Sequence, residues 1–323
     1  MSTRPILELR ADIRARLRDV FDRAGFVEVD TPTLSREVLP EAHIDPLAVH
    51  VDGPALDPRY LQASPEALMK RLLAAGAGPI YQFARSFRAG ERGRQHDVEF
   101  VLLEWYAPGT TLDEASLLLE RLASAALGTE GIDRVSCADA FLDHAGVDPR
   151  SATLEDLMAA GRRADLRLPD AHHRAPVDES SRAALWDRWF EALLAEVVQP
   201  RLGRGRPTML DAWPASQAAF ARLDRHDRRI ARRFELFVEG VELANGWEEE
   251  TSRDVLAARI EAANAIRAAD GRAPLPIPRR LLDAHGDGMP DGVGAALGFD
   301  RLVMLAAGAD SIDAIRPFSS EDA

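Results

Sequence analysis

The sequence has 323 residues but a single cysteine, Cys137. One cysteine excludes an intramolecular disulfide and a cysteine-rich zinc site, and it fits a cytoplasmic protein. Long apolar runs are missing as well. None reaches the roughly 20 residues that cross a bilayer, and the opening MSTRPILELRADIRARL lacks the apolar core of a secretory signal. Nor is there an excess of positive charge. Lys and Arg total 40 against 53 Asp and Glu, a net charge of −13. That argues against a broad nucleic-acid surface, which binds by neutralising phosphates, but leaves room for a small anion pocket. No G-x-x-x-x-G-K-[ST] loop is present, which argues against a P-loop ATPase. Gly292-Val-Gly-Ala-Ala-Leu-Gly298 has the look of a dinucleotide motif, but its spacing is off by one and no βαβ unit follows. No internal repeat is evident.

What is present is a 46% hydrophobic chain, enough for a substantial core. Ile6, Leu9, Ile13, Leu17, Val20 and Phe21 recur at helical spacing, with Gly25 as the cap and arginines on a solvated face. Phe26–Asp30 reads as a strand, 33–46 as loop, and Leu47–Val51 with Arg59–Gln62 as a hairpin. Ser64-Pro-Glu66 is a helix start, with Ser64 as N-cap, Pro65 at the first position and Glu66 at the positive end. Thr111-Leu-Asp-Glu114 is a capping box. Residues 129–178 are short helical pieces that resemble an insertion, and 180–198 form an amphipathic helix. Strands return at Thr208–Trp213, Arg233–Val238 and Val241–Ala244, with turns at Glu239-Gly240 and Asn245-Gly246. Ser252 starts a helix through Ala269, and a glycine-bearing strand feeds a helix near Phe299. The hairpin-like strand spacing predicts an α+β fold: an antiparallel β-sheet flanked by helices, in one domain over 1–323.

The most informative stretch is Phe87 to Tyr106, FRAGERGRQHDVEFVLLEWY. Two antiparallel strands flank a long loop rich in charge and glycine, too long for an ordinary hairpin turn and suited to holding a ligand. Three polar clusters interrupt otherwise core-like strands: Arg88 with its loop, Glu242 with Glu249, and Gly294, Gly298 and Arg301. Buried carboxylates are costly unless paired or bound to a cation. Arginine is the natural partner of phosphate. Together these residue types point to a nucleoside triphosphate with Mg²⁺.

At these clusters the chain resembles the catalytic domain of class II aminoacyl-tRNA synthetases, specifically the lysyl branch. Phe87-Arg88, Arg94-x-His96-x-x-Glu99-Phe100 and Glu104-Trp-Tyr106 are similar to the second class motif, and Gly298-Phe-Asp-Arg-Leu302 to the third. Val29-Asp-Thr-Pro32 resembles the end of the first, which implies a homodimer. Gly240–Gly246 and Tyr60–Glu66 are similar to lysyl-branch segments. The chain departs from the pattern at Ala89-Gly90, where Asn-Glu is usual, and at Asp97-Val98, where Asn-Pro is usual. The first catalytic helix begins near residue 5, leaving no room for the anticodon-binding barrel. The resemblance is therefore closest to the truncated paralogues that modify elongation factor P.

That resemblance implies ATP-dependent activation of lysine or β-lysine as an acyl-adenylate, then transfer to a lysine of elongation factor P, with tRNA an unlikely acceptor. It implies that Arg88 bridges the carboxylate and α-phosphate and that Arg301 holds the tail phosphates. Ala89, Gly90, Asp97, Leu243 and Gly298 would also contact ATP. Glu242 and Glu249 would bind Mg²⁺, and Ser64, Glu66, Tyr106 and Glu249 would line the amino-acid pocket. Two alternatives stay open: a paralogue charging another acceptor (tRNA, carrier protein or metabolite), and a non-catalytic amino-acid-binding regulatory subunit.

Overall fold

The computed structural model describes residues 3–51, 53, 57–168 and 179–323. The chain forms two compact units, residues 1–128 with 248–323, and residues 129–247.

In the first unit, helix α1 (Thr3–Arg23) leads to the two-residue strand β1 (Val27–Glu28), and Gly25 takes a left-handed conformation (φ 78°) between them. Ile13, Leu17 and Phe21 are fully buried, each removing apolar surface worth about 2 kcal/mol. Phe21 stacks on Tyr81 with ring centroids 4.3 Å apart. The arginine face of α1 is not simply solvated, as expected. Arg14 lies 4.8 Å from the Phe83 ring centroid and 5.1 Å from that of Phe299, and Arg10 pairs with Asp300 at 2.8 Å. A flat guanidinium can cover an aromatic ring where an ammonium would stay hydrated.

Strands β2 (Leu34–Ser35), β3 (Leu47–Val49) and β4 (Arg59–Leu61) form a small antiparallel sheet in the order β2-β4-β3. The β3–β4 hairpin matches expectation, whereas β2 falls in the expected loop; Asp52 and Pro54 of the connecting turn lie outside the described residues. Helix α2 (Glu66–Ala74), β5 (Ile80–Phe87), β6 (Glu99–Pro108) and α3 (Leu112–Leu127) follow. The Thr111–Glu114 capping box is formed. Strand β1 runs parallel to β5, while β5 and β6 pair antiparallel from Ile80↔Tyr106 to Phe87↔Glu99.

The second unit opens with strand β7 (Asp133–Ser136), where only helical pieces were expected, and β7 pairs parallel with β8 (Thr208–Pro214). Between them lie α4 (Cys137–Ala145), α5 (Leu154–Arg163) and α6 (Glu179–Leu193), which ends in a π-helical turn at Leu194–Val198. Residues 169–178 of the expected insertion lie outside the described residues. Phe141, Phe190 and Trp186 stack in series, and Cys137 is a buried member of this core. Strands β9 (Ile230–Val238) and β10 (Val241–Glu248) complete the order β10-β9-β8-β7. Their turn, Glu239-Gly240, has φ of 50° and 76°, the pair of positive values a two-residue hairpin requires. Asn245-Gly246 is not a turn: β10 runs through it, paired with Glu235 and Phe234. The Asn245 side-chain oxygen accepts from Arg233 Nε at 3.2 Å, so the polar group is satisfied inside the ladder.

Back in the first unit, α7 (Arg253–Ala269) starts on the Ser252 cap, and α8 (Arg279–Gly288) precedes β11 (Gly292–Gly298), which feeds α9 (Phe299–Ala306) directly. Strand β11 pairs antiparallel with β6, giving the order β1-β5-β6-β11. Both units combine helices with mostly antiparallel sheet. Among the described residues, no helix is long and apolar enough to cross a membrane.

Candidate active site

The alternation of β6 puts Phe100, Leu102, Glu104 and Tyr106 on one face of the strand. Strand β6 is buried nearly throughout, so a carboxylate on it needs a reason. Met69 and Leu73 of α2 pack with Ile80, Tyr106 and Met289, which seats the helix beside Tyr106. The four-residue spacing of Glu66 and Lys70 then brings both side chains together. Lys70 Nζ lies 2.6 Å from Glu66 Oε1 and 2.7 Å from Glu249 Oε2. Glu249 is held by its backbone, whose N–H donates to the Gly292 carbonyl at 2.9 Å. Tyr106 donates its hydroxyl to Glu104 Oε1 at 2.7 Å, and Glu104 Oε2 is buried with no hydrogen-bond partner.

The result is a buried pocket of three carboxyl groups, one phenol and one ammonium. Its charges are coupled. Burial, and then the charge of Glu66, push the Glu104 carboxyl up to about 8, against the opposing Tyr106 hydrogen bond. Burial works against charge on Lys70, but Glu249 and Glu66 outweigh it and hold the ammonium above its ordinary range. Burial and the charge of Lys70 push His285 down to about 4, so this neighbour on α8 adds no second cation at neutral pH. Gly294 faces the same group. A Cβ there would overlap Glu249 Oε1 and the Tyr106 ring, so glycine is required to clear the pocket.

Arg88 follows β5 at the other end of this strand face. Its guanidinium carbon lies 5.0 Å from the centroid of the Phe100 ring, and Nη1 is 3.8 Å from Glu91. Among the described residues Arg88 Nε is buried without a hydrogen-bond partner, an unused donor suited to an anion. Ala89 N–H donates to the Asp45 carbonyl at 2.8 Å, and Gly90 has φ 77°, a value its missing side chain permits. Arg301 on α9 reaches back to the loop, with Nη2 2.6 Å from His96 Nε2 and Nε 3.3 Å from the Gln95 carbonyl. A Cβ at Gly298 would make only ordinary contact with Arg301, so the steric need seen at Gly294 is absent there.

Three residues behave differently from expectation. Ser64 is not the N-cap of α2; Pro65 occupies that position, and Ser64 Oγ accepts from Glu66 N–H at 3.3 Å. Asp97 is fully engaged elsewhere. Arg316 Nη1 and Ser320 N–H donate to one of its oxygens at 2.7 and 3.0 Å, and the Ser320 hydroxyl and Val98 N–H donate to the other. Burial opposes its ionisation, but the Ser320 hydrogen bonds and the other donors outweigh that and hold its carboxyl below the usual range. Glu249 fits a Mg²⁺ ligand poorly, because a cation would compete with the ammonium already paired to it. Glu242, in the second unit, is half-exposed beside a register shift of β10 that also places Leu243, which is buried. Among the described residues, no group of three or more His, Cys, Asp or Glu is arranged to hold a metal ion.

Glu104 and Lys70 were missed as site residues. Glu104 sat in the quoted motif but read as part of a strand. Lys70 carried a plain signal in the composition: it is the only lysine in the sequence, every other basic residue being arginine or histidine.

Residues 1–322 match the family model described as tRNA synthetases class II (D, K and N). The chain is 40% identical over 317 residues to a protein of Edwardsiella ictaluri named elongation factor P–(R)-beta-lysine ligase, covering 97% of this chain and 94% of that one. It is 39% identical over 322 residues to the Salmonella typhi protein of the same name, covering 99% and 96%. The chain belongs to the class II tRNA synthetase family of the D, K and N type.

Proposed function

We propose that this protein is an ATP-dependent ligase that activates lysine or (R)-β-lysine and transfers it to a lysine side chain of elongation factor P. The observation that carries the reading is the buried acidic pocket of Glu66, Glu104 and Glu249 with Tyr106. Its three carboxyl groups outnumber the one ammonium, Lys70, that is paired with two of them, and this suits the pocket to receive an alkylammonium through charge-assisted hydrogen bonds. The near full-length similarity to proteins named for this reaction supports the acceptor.

In the first step a substrate carboxylate oxygen attacks the α-phosphorus of ATP, and the bond to pyrophosphate breaks. Arg88 would neutralise the growing charge with the donor it leaves unused, at no cost in reorganisation. Arg301 would hold the tail phosphates, with the backbone at Ala89, Gly90 and Gly298 along the nucleotide. Glu242 would hold Mg²⁺, which would neutralise phosphate charge when bound, and Glu249 would serve the ammonium pocket. Asp97 supports the loop from behind through Arg316. Ser64, Glu66, Tyr106 and Glu249 orient the amino acid, joined by Glu104. In the second step the acceptor ε-amine attacks the acyl carbon, AMP leaves and the amine gives up a proton. Positioning suffices for both steps, so no side-chain nucleophile is needed. We assign the enzyme to the cytoplasm, as a homodimer.

The test supplies ATP with labelled lysine or (R)-β-lysine and offers elongation factor P and tRNA in parallel. Label on elongation factor P supports the reading. Label on tRNA alone, or no pyrophosphate exchange with any lysine isomer, overturns it.

A further inference from the structure

Lys70 is the only lysine among 40 Lys and Arg residues, and its side chain is 1% exposed. A chain that uses arginine for every other cation of this kind keeps an ammonium at one buried point. Its Nζ bridges Glu66 and Glu249, carboxylates from α2 and from the segment after β10, at 2.6 and 2.7 Å. Stability alone is a weak reason for such a group. A buried ion pair replaced by apolar side chains of similar size is often neutral or stabilising. The neighbouring strand is also shaped for it: Gly294 must lack a side chain for the Glu249 carboxylate to stand where Lys70 meets it. Beside the bridge, Glu104 Oε2 is a buried oxygen with no hydrogen-bond partner among the described residues.

We propose that Lys70 is a positioning residue: its ammonium ties Glu66 to Glu249 and so leaves Glu104 as the carboxyl group that meets the substrate's ammonium. The inference rests on the lysine-activating reading above and adds a division of labour within the pocket. A compact ammonium satisfies two carboxylates approaching from different elements. The planar fork of arginine is longer and favours a single coplanar carboxylate. Retention of lysine here follows from that difference in shape.

The test measures amino-acid-dependent ATP–pyrophosphate exchange for wild type, Lys70→Arg and Lys70→Ala, the last with and without added n-propylammonium, which replaces the deleted end of the side chain. Each rate is normalised to the folded fraction from circular dichroism. The expected result for Lys70→Arg is a KM for lysine or (R)-β-lysine raised about tenfold or more, with kcat within about threefold and the KM for ATP unchanged. The expected result for Lys70→Ala is a similar or larger loss that propylammonium restores and tetramethylammonium does not. If Lys70→Ala fails to fold alone, recovery of folding and exchange with propylammonium is the supporting result. Unchanged amino-acid KM in folded Lys70→Arg, or no rescue of Lys70→Ala, overturns the proposal while wild-type exchange leaves the functional reading intact. A wild type that exchanges with no lysine isomer overturns both.

Discussion

At the scale of single residues, the site separates an arginine with an unused donor from a carboxyl group with an unpartnered oxygen among the described residues. Arg88 stacks on Phe100 and makes a long ion pair with Glu91 at 3.8 Å. Arg88→Ala is therefore expected to cut amino-acid-dependent pyrophosphate exchange at least about 100-fold, as for the loss of a preorganised charge donor. Its melting temperature should stay within a few degrees of wild type, the lost ring contact being worth about 1 kcal/mol. Glu104 makes a prediction with a pH sign. Its carboxyl titrates near 8 in the folded protein and in the ordinary range near 4.5 when unfolded. The folded state thus holds the extra proton between those values, and stability falls as pH rises from the lower to the higher. Glu104→Gln removes that dependence, so its melting temperature relative to wild type is expected to be higher at pH 9 than at pH 5. Scanning calorimetry at the two values checks this, and an equal difference at both would contradict it.

At the scale of elements, the loop between β5 and β6 is braced by residues more than 200 positions away. Ile312 N–H donates to the Arg94 carbonyl at 2.9 Å, Arg92 pairs with Asp313 at 2.8 Å, and Arg316 holds both Asp97 and the Glu99 carbonyl. Arg316→Ala removes the nearer cation from the buried Asp97 carboxylate and leaves only Arg92 at 4.0 Å, which costs about 3 kcal/mol. The expected kinetic effect is a KM for ATP raised about tenfold with the amino-acid KM nearly unchanged, read in the exchange assay. This brace marks where the sequence stops being legible. The strands on either side of the loop could be read from their alternation, and α3 from its Thr111–Glu114 box, because both signals are local. Asp97–Arg316 is a contact between distant positions that no local pattern announces. Asn245-Gly246 failed for the opposite reason: a strong local turn signal lost to the pairing of β10 with β9.

At the scale of the whole molecule, charge and chemistry agree. The net charge of −13 repels polyanions except where arginines are gathered. Under about 150 mM salt, where non-specific nucleic-acid affinities fall to about 10⁻⁴–10⁻⁶ M even for basic surfaces, filter binding is expected to show no saturable tRNA binding at about 10 μM protein. Tight tRNA binding under those conditions would favour a tRNA acceptor. The family could be read from motif order along nearly the entire chain. The acidic pocket was half legible: Glu66, Tyr106 and Glu249 stood in motifs, while the role of Lys70 depends on α2 and the Glu249 segment meeting in space.

The solitary, buried Lys70 also bears on self-modification. An enzyme that makes an amine-reactive acyl-adenylate endangers every accessible ε-amine around it, its own included. This chain has no other lysine, and the one it has is enclosed and salt-bridged on two sides. An escaped adenylate would find no side-chain ε-amine on the enzyme's surface. The same property makes the protein's side chains a near-silent background for amine-directed dyes and crosslinkers.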